Sequence, residues 1–254
     1  MISKVKRKNS DFRIGVLSTI SSPLLPLFLS SILKKNMKDI VVICDSNNFS
    51  EKDKKIWFDR TGDTFERNDL KNANVNQMTN EKIPFFYVNS HNDEETLNLI
   101  KSLSVDVLLN GGTPRKLKKH ILEGTKHGAI NVHPGVLPYY RGSSAVEWAL
   151  FNNDKVGNTV HFMNEGYDEG NIIFLECYKF PSNTDYQSIR VKVYKEGCIL
   201  ASKALRLIYD EKITSADGVP QDHRFAKYWG PIPDEKFFKV IELVNNGKYK
   251  YQTL

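Results

Sequence analysis

The order strand, helix, strand at the start of this chain limits its fold more than any other feature. Phe12 to Leu17 is an apolar run of strand length, Ser18 to Pro23 is a Ser- and Pro-containing turn, and Leu24 to Leu33 is an apolar helix. Ile40 to Cys44 is then a second strand. Two strands joined through a helix pair in parallel, because the crossover must carry the chain back along one face of the sheet. That unit excludes an all-α bundle and an all-β sandwich. It leads to an open α/β sheet, in which ligands bind beyond the carboxyl ends of the strands.

The rest of the chain extends the sheet. A helix is expected around Glu51 to Asp59, within a polar, Asn-rich segment from Phe49 to Asn80 that otherwise reads as a long surface excursion. Pro84 to Val88 resumes the sheet, and Asp93 is placed to cap a helix from Glu94 to Leu103. Asp106 to Asn110 is the next strand, broken by Gly111-Gly112-Thr113-Pro114, and Gly128 to His133 is another, stopped by Pro134. Ser143 and Ser144 offer an N-cap to the helix Ala145 to Phe151. Val156 to Met163 and Ile172 to Phe180 are consecutive strand-like runs, which predicts antiparallel strands at one edge. Apolar residues at Ile189, Val193, Leu200, Ala204 and Leu207 predict a long covering helix over Asp185 to Tyr209, with Gly197 its weak point. The expected fold is therefore α/β and Rossmann-like: a mostly parallel twisted sheet with helices on both faces and antiparallel strands at one edge. Residues 1–210 form the main domain, and the aromatic segment 211–254 is a short C-terminal extension too small to stand alone.

Composition narrows the function classes. The 254 residues are 40% hydrophobic and 26% charged, ordinary for a globular enzyme. No apolar run approaches the roughly 20 residues that span a bilayer. The basic start, Met1 to Ser10, lacks the apolar core of a secretory signal, so a cytoplasmic protein is expected. Cys44, Cys177 and Cys198 are scattered and odd in number, which argues against a disulfide framework or a cysteine metal site. Cys44 and Cys198 lie in apolar runs and read as buried thiols. The net charge of +6, clustered at Lys4 to Lys8 and Arg115 to Lys119, reads as solvated surface, and by itself is weak support for a nucleic-acid partner.

The candidate chemistry sits at strand ends. Side chains at i and i+2 of a strand share a face, so the Asn131 amide and the His133 imidazole can converge on one atom. Asp168 follows in the loop Asn164-Glu165-Gly166-Tyr167-Asp168-Glu169-Gly170, after another strand. A lone histidine is more often structural than catalytic, and it is the neighbouring amide that shifts the balance. An amide donor, an imidazole and a carboxylate suit acyl transfer through a tetrahedral intermediate. His161 is the competitor, set aside because strand alternation places it away from a defined loop position. His91, His120, His127 and His223 lie among polar neighbours and read as surface residues.

The runs Asn131-Val132-His133-Pro134 to Leu137-Pro138-Tyr139-Tyr140-Arg141-Gly142, Val160 to Gly170, and Val107 to Thr113 resemble the signature of the folate-dependent formyltransferases. The likeness covers about residues 12 to 210, with its core in 105 to 175. One departure is Gly135, where the family often has Ser. The resemblance implies that an amine attacks the formyl carbon of 10-formyltetrahydrofolate as cosubstrate, without a metal. Asn131 would donate to the oxyanion. A cationic His133 would add a second donor and relay a proton. Asp168 would hold the ring and a water and raise the histidine pKa. The pterin would lie against Gly112, Thr113, Pro114 and Arg115 and against Asn164, Glu165, Gly166 and Tyr167.

Within that family the acceptor is read from the first turn. A ribonucleotide transformylase would place a Gly-rich phosphate cradle there, and Ser18 to Pro23 has no glycine. A methionyl-tRNA enzyme is expected to carry a full C-terminal β-barrel, for which this chain is short. A sugar N-formyltransferase remains as the expectation, with a nucleotide-linked amino sugar as its small-molecule amine. A homodimer partner is compatible with the aromatic tail; neither nucleic acid nor membrane is expected. Glycinamide ribonucleotide or methionyl-tRNA formyl transfer, formyltetrahydrofolate hydrolysis and a degenerate folate-binding module are the alternatives.

Overall fold

Two faces of one sheet, each covered by helices, account for most of the buried apolar residues. The computed structural model describes residues 12–19, 21–47, 50–62 and 83–253. The Lys4 to Lys8 cluster and most of the excursion toward Asn80 fall outside these residues. The described elements run β1 (Ile14–Thr19), α1 (Leu25–Leu33), β2 (Ile40–Asp45), α2 (Glu51–Thr61), β3 (Phe85–Val88), α3 (Glu94–Ser102), β4 (Val107–Asn110), α4 (Lys119–Leu122) and β5 (Ala129–His133). After these come β6 (Arg141–Gly142), α5 (Ala145–Phe151), β7 (Gly157–Phe162), β8 (Ile172–Cys177), β9 (Phe180–Pro181) and α6 (Tyr186–Tyr209). The tail adds a 3-10 turn at His223–Phe225, β10 (Tyr228–Trp229), α7 (Asp234–Asn245) and β11 (Gln252–Thr253).

The main sheet has the order β3-β2-β1-β4-β5-β7-β8. Its first five strands are parallel, and β7 and β8 are antiparallel. This is the α/β architecture the strand–helix pattern predicts. One face packs Ile14, Val16, Val42 and Leu109 against Phe28 and Leu29 of α1 and Leu200, Ala204 and Ile208 of α6. The other packs Leu17, Val41, Ile43 and Leu108 against Leu97 and Ile100 of α3 and Ile121 of α4. At Gly197 α6 comes close to the sheet: a Cβ there would lie 3.2 Å from Asn158 Oδ1 of β7. The glycine that weakens the helix in sequence is thus accounted for by close packing.

Two expected caps do not form. Asp93 precedes α3 but accepts no capping bond from it. Ser144 sits in the left-handed region at φ 53°, where its hydroxyl cannot serve the helix, and instead accepts from Arg60 Nη2 and Ile232 N. A full capping box does form at α2, where Ser50 and Asp53 bond each other reciprocally.

A separate apolar cluster joins α5, α6 and the tail: Trp148, Tyr186, Ile189, Val240, Val244 and Tyr249 are buried together. Trp229 lies against Trp148 with ring centroids 4.5 Å apart. Among the described residues, no helix is long and apolar enough to cross a membrane. Cys44 and Cys198 are buried, and Cys177 is exposed.

Candidate active site

The carboxyl ends of β4 and β5 carry Asn110, Asn131 and His133, and the loop after β7 brings Asp168 to them. His133 Nδ1 lies 3.4 Å from Asp168 Oδ2. The ring's other nitrogen, Nε2, is 2.6 Å from the Tyr140 carbonyl. A carbonyl only accepts, so Nε2 carries a proton. Gly135 makes room for this arrangement. A Cβ at that position would stand 2.6 Å from His133 Nε2 and 2.8 Å from the Tyr140 oxygen, so the departure from Ser coincides with a position that has no space for a side chain.

His133 is buried, and burial pulls its pKa below the ordinary histidine range, against the opposing pull of Asp168 and the Tyr140 carbonyl. Asp168 does raise the histidine pKa, as the resemblance implies, and burial lowers it by more. Burial alone would raise the Asp168 carboxyl. Proximity to His133 and His161 and a hydrogen bond from the Gly142 amide hold it at about 2.

His161, set aside on sequence, belongs to this cluster. It is buried, with Nε2 3.2 Å from Asn131 Nδ2 and 3.6 Å from Asp168 Oδ1. Alternation along β7 was the wrong test. The informative relation is lateral, because Asn131 and His161 are direct cross-strand partners in the β5–β7 register and so share a face.

Three more residues support the site. Gln221, from the tail, donates to the backbone carbonyls of Asp168 and Gly170 at 2.9 and 2.8 Å. Its own carbonyl accepts from Arg141 Nε and Nη2 at 3.1 and 2.8 Å. Tyr228 is hydrogen-bonded to both Glu169 and Arg141. Asp168 itself has φ 55°, a conformation that costs a non-glycine residue of order 1 kcal/mol or more and persists only where its surroundings hold it.

The residues expected along the pterin do not share one cavity. Gly112 and Thr113 line a cleft of about 210 Å³ with Asn110, Asn131 and Tyr194. Pro114 lines a neighbouring cavity of about 570 Å³ with Trp57 and Arg60 of α2 and with Tyr194. Asn164 and Glu165 line a third, of about 480 Å³, on the α4 side. Gly166 and Tyr167 line none of these three. The two loops still approach each other, with Lys116 Nζ 4.6 Å over the Tyr167 ring. The backbone amides of Gly112 and Thr113 are already taken by Asn110 Oδ1, at 3.0 and 2.9 Å. The Arg115 guanidinium is engaged by both Asp45 oxygens, at 2.9 and 3.0 Å.

His91 is corrected from surface to core. It is fully buried behind this loop, with Nδ1 2.6 Å from Thr113 Oγ1 and Nε2 2.9 Å from the Ile43 carbonyl. Burial lowers its pKa, so a neutral ring accepts from the Thr113 hydroxyl. His120 and His127 are half-buried, and His223 is exposed, as expected. In the first βα turn, the Ser18 and Ser22 hydroxyls point inward to the Gly111 carbonyl, at 2.7 and 3.4 Å. Among the described residues, no cluster of three His, Cys, Asp or Glu could hold a metal ion.

A formyl transferase family profile matches residues 13–205. The chain belongs to the formyl transferase family. A curated relative, the methionyl-tRNA formyltransferase of Alkaliphilus oremlandii, is 31% identical over 159 residues, covering 62% of this chain and 50% of the relative. This formyl transferase chain thus spans about half the length of the curated relatives it matches. Two solved structures share the fold. Glycinamide ribonucleotide transformylase 1 from Symbiobacterium toebii superposes with a TM-score of 0.61 at 19% identity, covering 84% of this chain and 95% of that one. An N-formyltransferase from Helicobacter canadensis, in complex with folinic acid and dTDP-3-aminofucose, gives 0.58 at 19% identity, covering 86% and 71%.

Proposed function

We propose that this formyl transferase moves a formyl group from 10-formyltetrahydrofolate to the primary amine of a nucleotide-linked amino sugar, with residues 1–210 as its catalytic unit. The observation that carries the reading is the meeting of Asn131, His133 and Asp168 at one strand-end rim, beside a cleft. The acceptor nitrogen attacks the formyl carbon, and the carbonyl oxygen becomes an oxyanion. Asn131 Nδ2 donates to that oxyanion. Negative charge beside His133 favours a proton on Nδ1, where Asp168 can stabilise it. The amine's proton leaves by this route or through a water held by Asp168, and arrives at the folate nitrogen as its bond to the formyl carbon breaks. The products are the formamide and tetrahydrofolate. Gly112, Thr113, Pro114, Arg115 and Asn164 to Tyr167 border the donor. Since the Gly112 and Thr113 amides and the Arg115 head are engaged internally, their contribution is shape and backbone carbonyls.

Two features favour a nucleotide-linked acceptor. The cleft at Asn131 adjoins the α2 cavity through Leu24 and Tyr194, where Trp57 packs on Tyr194 at 4.8 Å and gives an aromatic wall. The buried Glu147 lies 3.5 Å from Arg60 and 3.3 Å from Arg190, so one carboxylate faces two guanidiniums, of which Arg60 lines the cavity together with Asp53. A ring-bearing anion suits that chemistry. The inward-turned Ser18 and Ser22 hydroxyls weigh against a simple phosphate cradle in the first turn. Methionyl-tRNA is the second reading, favoured by the curated relatives. Turnover of 10-formyltetrahydrofolate, followed by absorbance, separates these: a nucleotide amino sugar is expected to stimulate it. Stimulation by methionyl-tRNA alone would replace the acceptor, and turnover without any amine would indicate hydrolysis.

A further inference from the structure

At the centre of the site lies an unbroken chain of polar contacts whose direction can be fixed from both ends. At one end, the Gly112 and Thr113 amides approach one atom of the Asn110 side chain, at 3.0 and 2.9 Å. Backbone N–H groups only donate, so that atom is the oxygen, and the Asn110 NH2 must face the other way. It meets Asn131 at 3.0 Å, which identifies the facing Asn131 atom as Oδ1. The Asn131 NH2 therefore points to His161 Nε2, 3.2 Å away. At the far end, His161 Nδ1 lies 2.9 Å from the Phe162 carbonyl, which only accepts. Nδ1 then carries the proton in the neutral ring, and Nε2 offers its lone pair to Asn131. The two ends agree on the same orientation.

We infer that Asn110 is a positioning residue that sets which end of the Asn131 amide faces the reacting carbonyl. With Asn110 in place, the Asn131 oxygen is occupied and its NH2 is turned toward the Asp168 side of the rim. A reversed amide would present an oxygen to a developing oxyanion and repel it. Asn110 also joins the Gly112–Thr113 loop directly to the catalytic amide, so the loop's placement and the amide's orientation are set by one side chain. The catalytic consequence rests on the proposed formyl transfer, but the orientation itself does not.

Asn110→Asp is the decisive variant. Its carboxylate can still accept from the Gly112 and Thr113 amides, yet it cannot donate to Asn131 Oδ1. The expected result is a kcat about a hundredfold lower, comparable to loss of an oxyanion donor, with the Kd for folinic acid changed less than twofold. The ratio of wild-type to variant kcat should shrink as the pH falls and the introduced carboxyl regains a proton to donate, whereas a general loss of structure would not recover in this way. A ratio that stays constant with pH, or a kcat within threefold of wild type, overturns the inference. The side-chain amide NMR signal of Asn131, assigned by its disappearance in Asn131→Asp, supplies a readout that needs no turnover. It should move in Asn110→Asp, and an unmoved signal overturns the assigned orientation even if the wild-type protein turns over no formyl donor at all.

Discussion

The two sides of the site are held by different means. On one side, Asn110, Asn131 and His133 stand on β4 and β5, inside a sheet whose hydrogen-bond ladder fixes their positions. On the other, Asp168 stands on a loop in a left-handed conformation, held by Gln221 and by contacts of Arg141 and Tyr228 around Glu169. The first side is built by local sequence, the second by residues brought in from β6 and the tail. Half of the constellation is therefore rigid by secondary structure and half by tertiary clamps, and the two should fail differently.

The largest effect is expected on the strand side. Asn131→Ala removes the proposed oxyanion donor and should lower kcat by a hundredfold or more, about 3 kcal/mol or slightly above. Steady-state kinetics with the responsive amine check it, and near-normal turnover would mean that Asn131 is not the donor. Next comes the clamp. Gln221→Ala leaves two backbone carbonyls and a buried guanidinium short of partners, a loss of about 2–3 kcal/mol. It should lower Tm by several degrees and kcat along with it, since Asp168 is released. A fall in Tm with unchanged kcat would show that the clamp stabilises the protein without positioning the carboxylate. The smallest effect is on pH dependence. Asp168 is held at about 2 in the folded protein, against an ordinary 3.8. Its contribution is therefore fully present above about pH 4 and is lost as the pH falls toward 2, in total about 2 kcal/mol. Asp168→Asn should flatten the Tm profile below about pH 4, and an unaltered profile would remove the charge pairing from the account.

The same division explains what could be read from the sequence. The sheet was legible because its strands are short apolar runs separated by turn residues, and Asn131 and His133 because their i, i+2 spacing forces a common face. His161 was missed because its relation to Asn131 runs across β5 and β7, which depends on the strand register. His91 was misread because polar neighbours in sequence do not reveal that it is buried against Ile43 and Thr113. Gln221 is 53 residues from Asp168, and nothing in its local sequence marks it as a clamp. The caps assigned to Asp93 and Ser144 failed for a related reason: a suitable residue type preceded each helix, but Asp93 makes no capping bond and Ser144 serves tertiary partners.

Ser18 and Ser22 carry a consequence for anyone redesigning this protein. With both hydroxyls riveted to the Gly111 carbonyl, the first turn and the end of β4 behave as one welded joint. Grafting a glycine-rich phosphate socket into that turn would also unfasten the segment that leads, through Asn110, to Asn131, so a new acceptor preference introduced there would arrive together with a disturbed reaction centre.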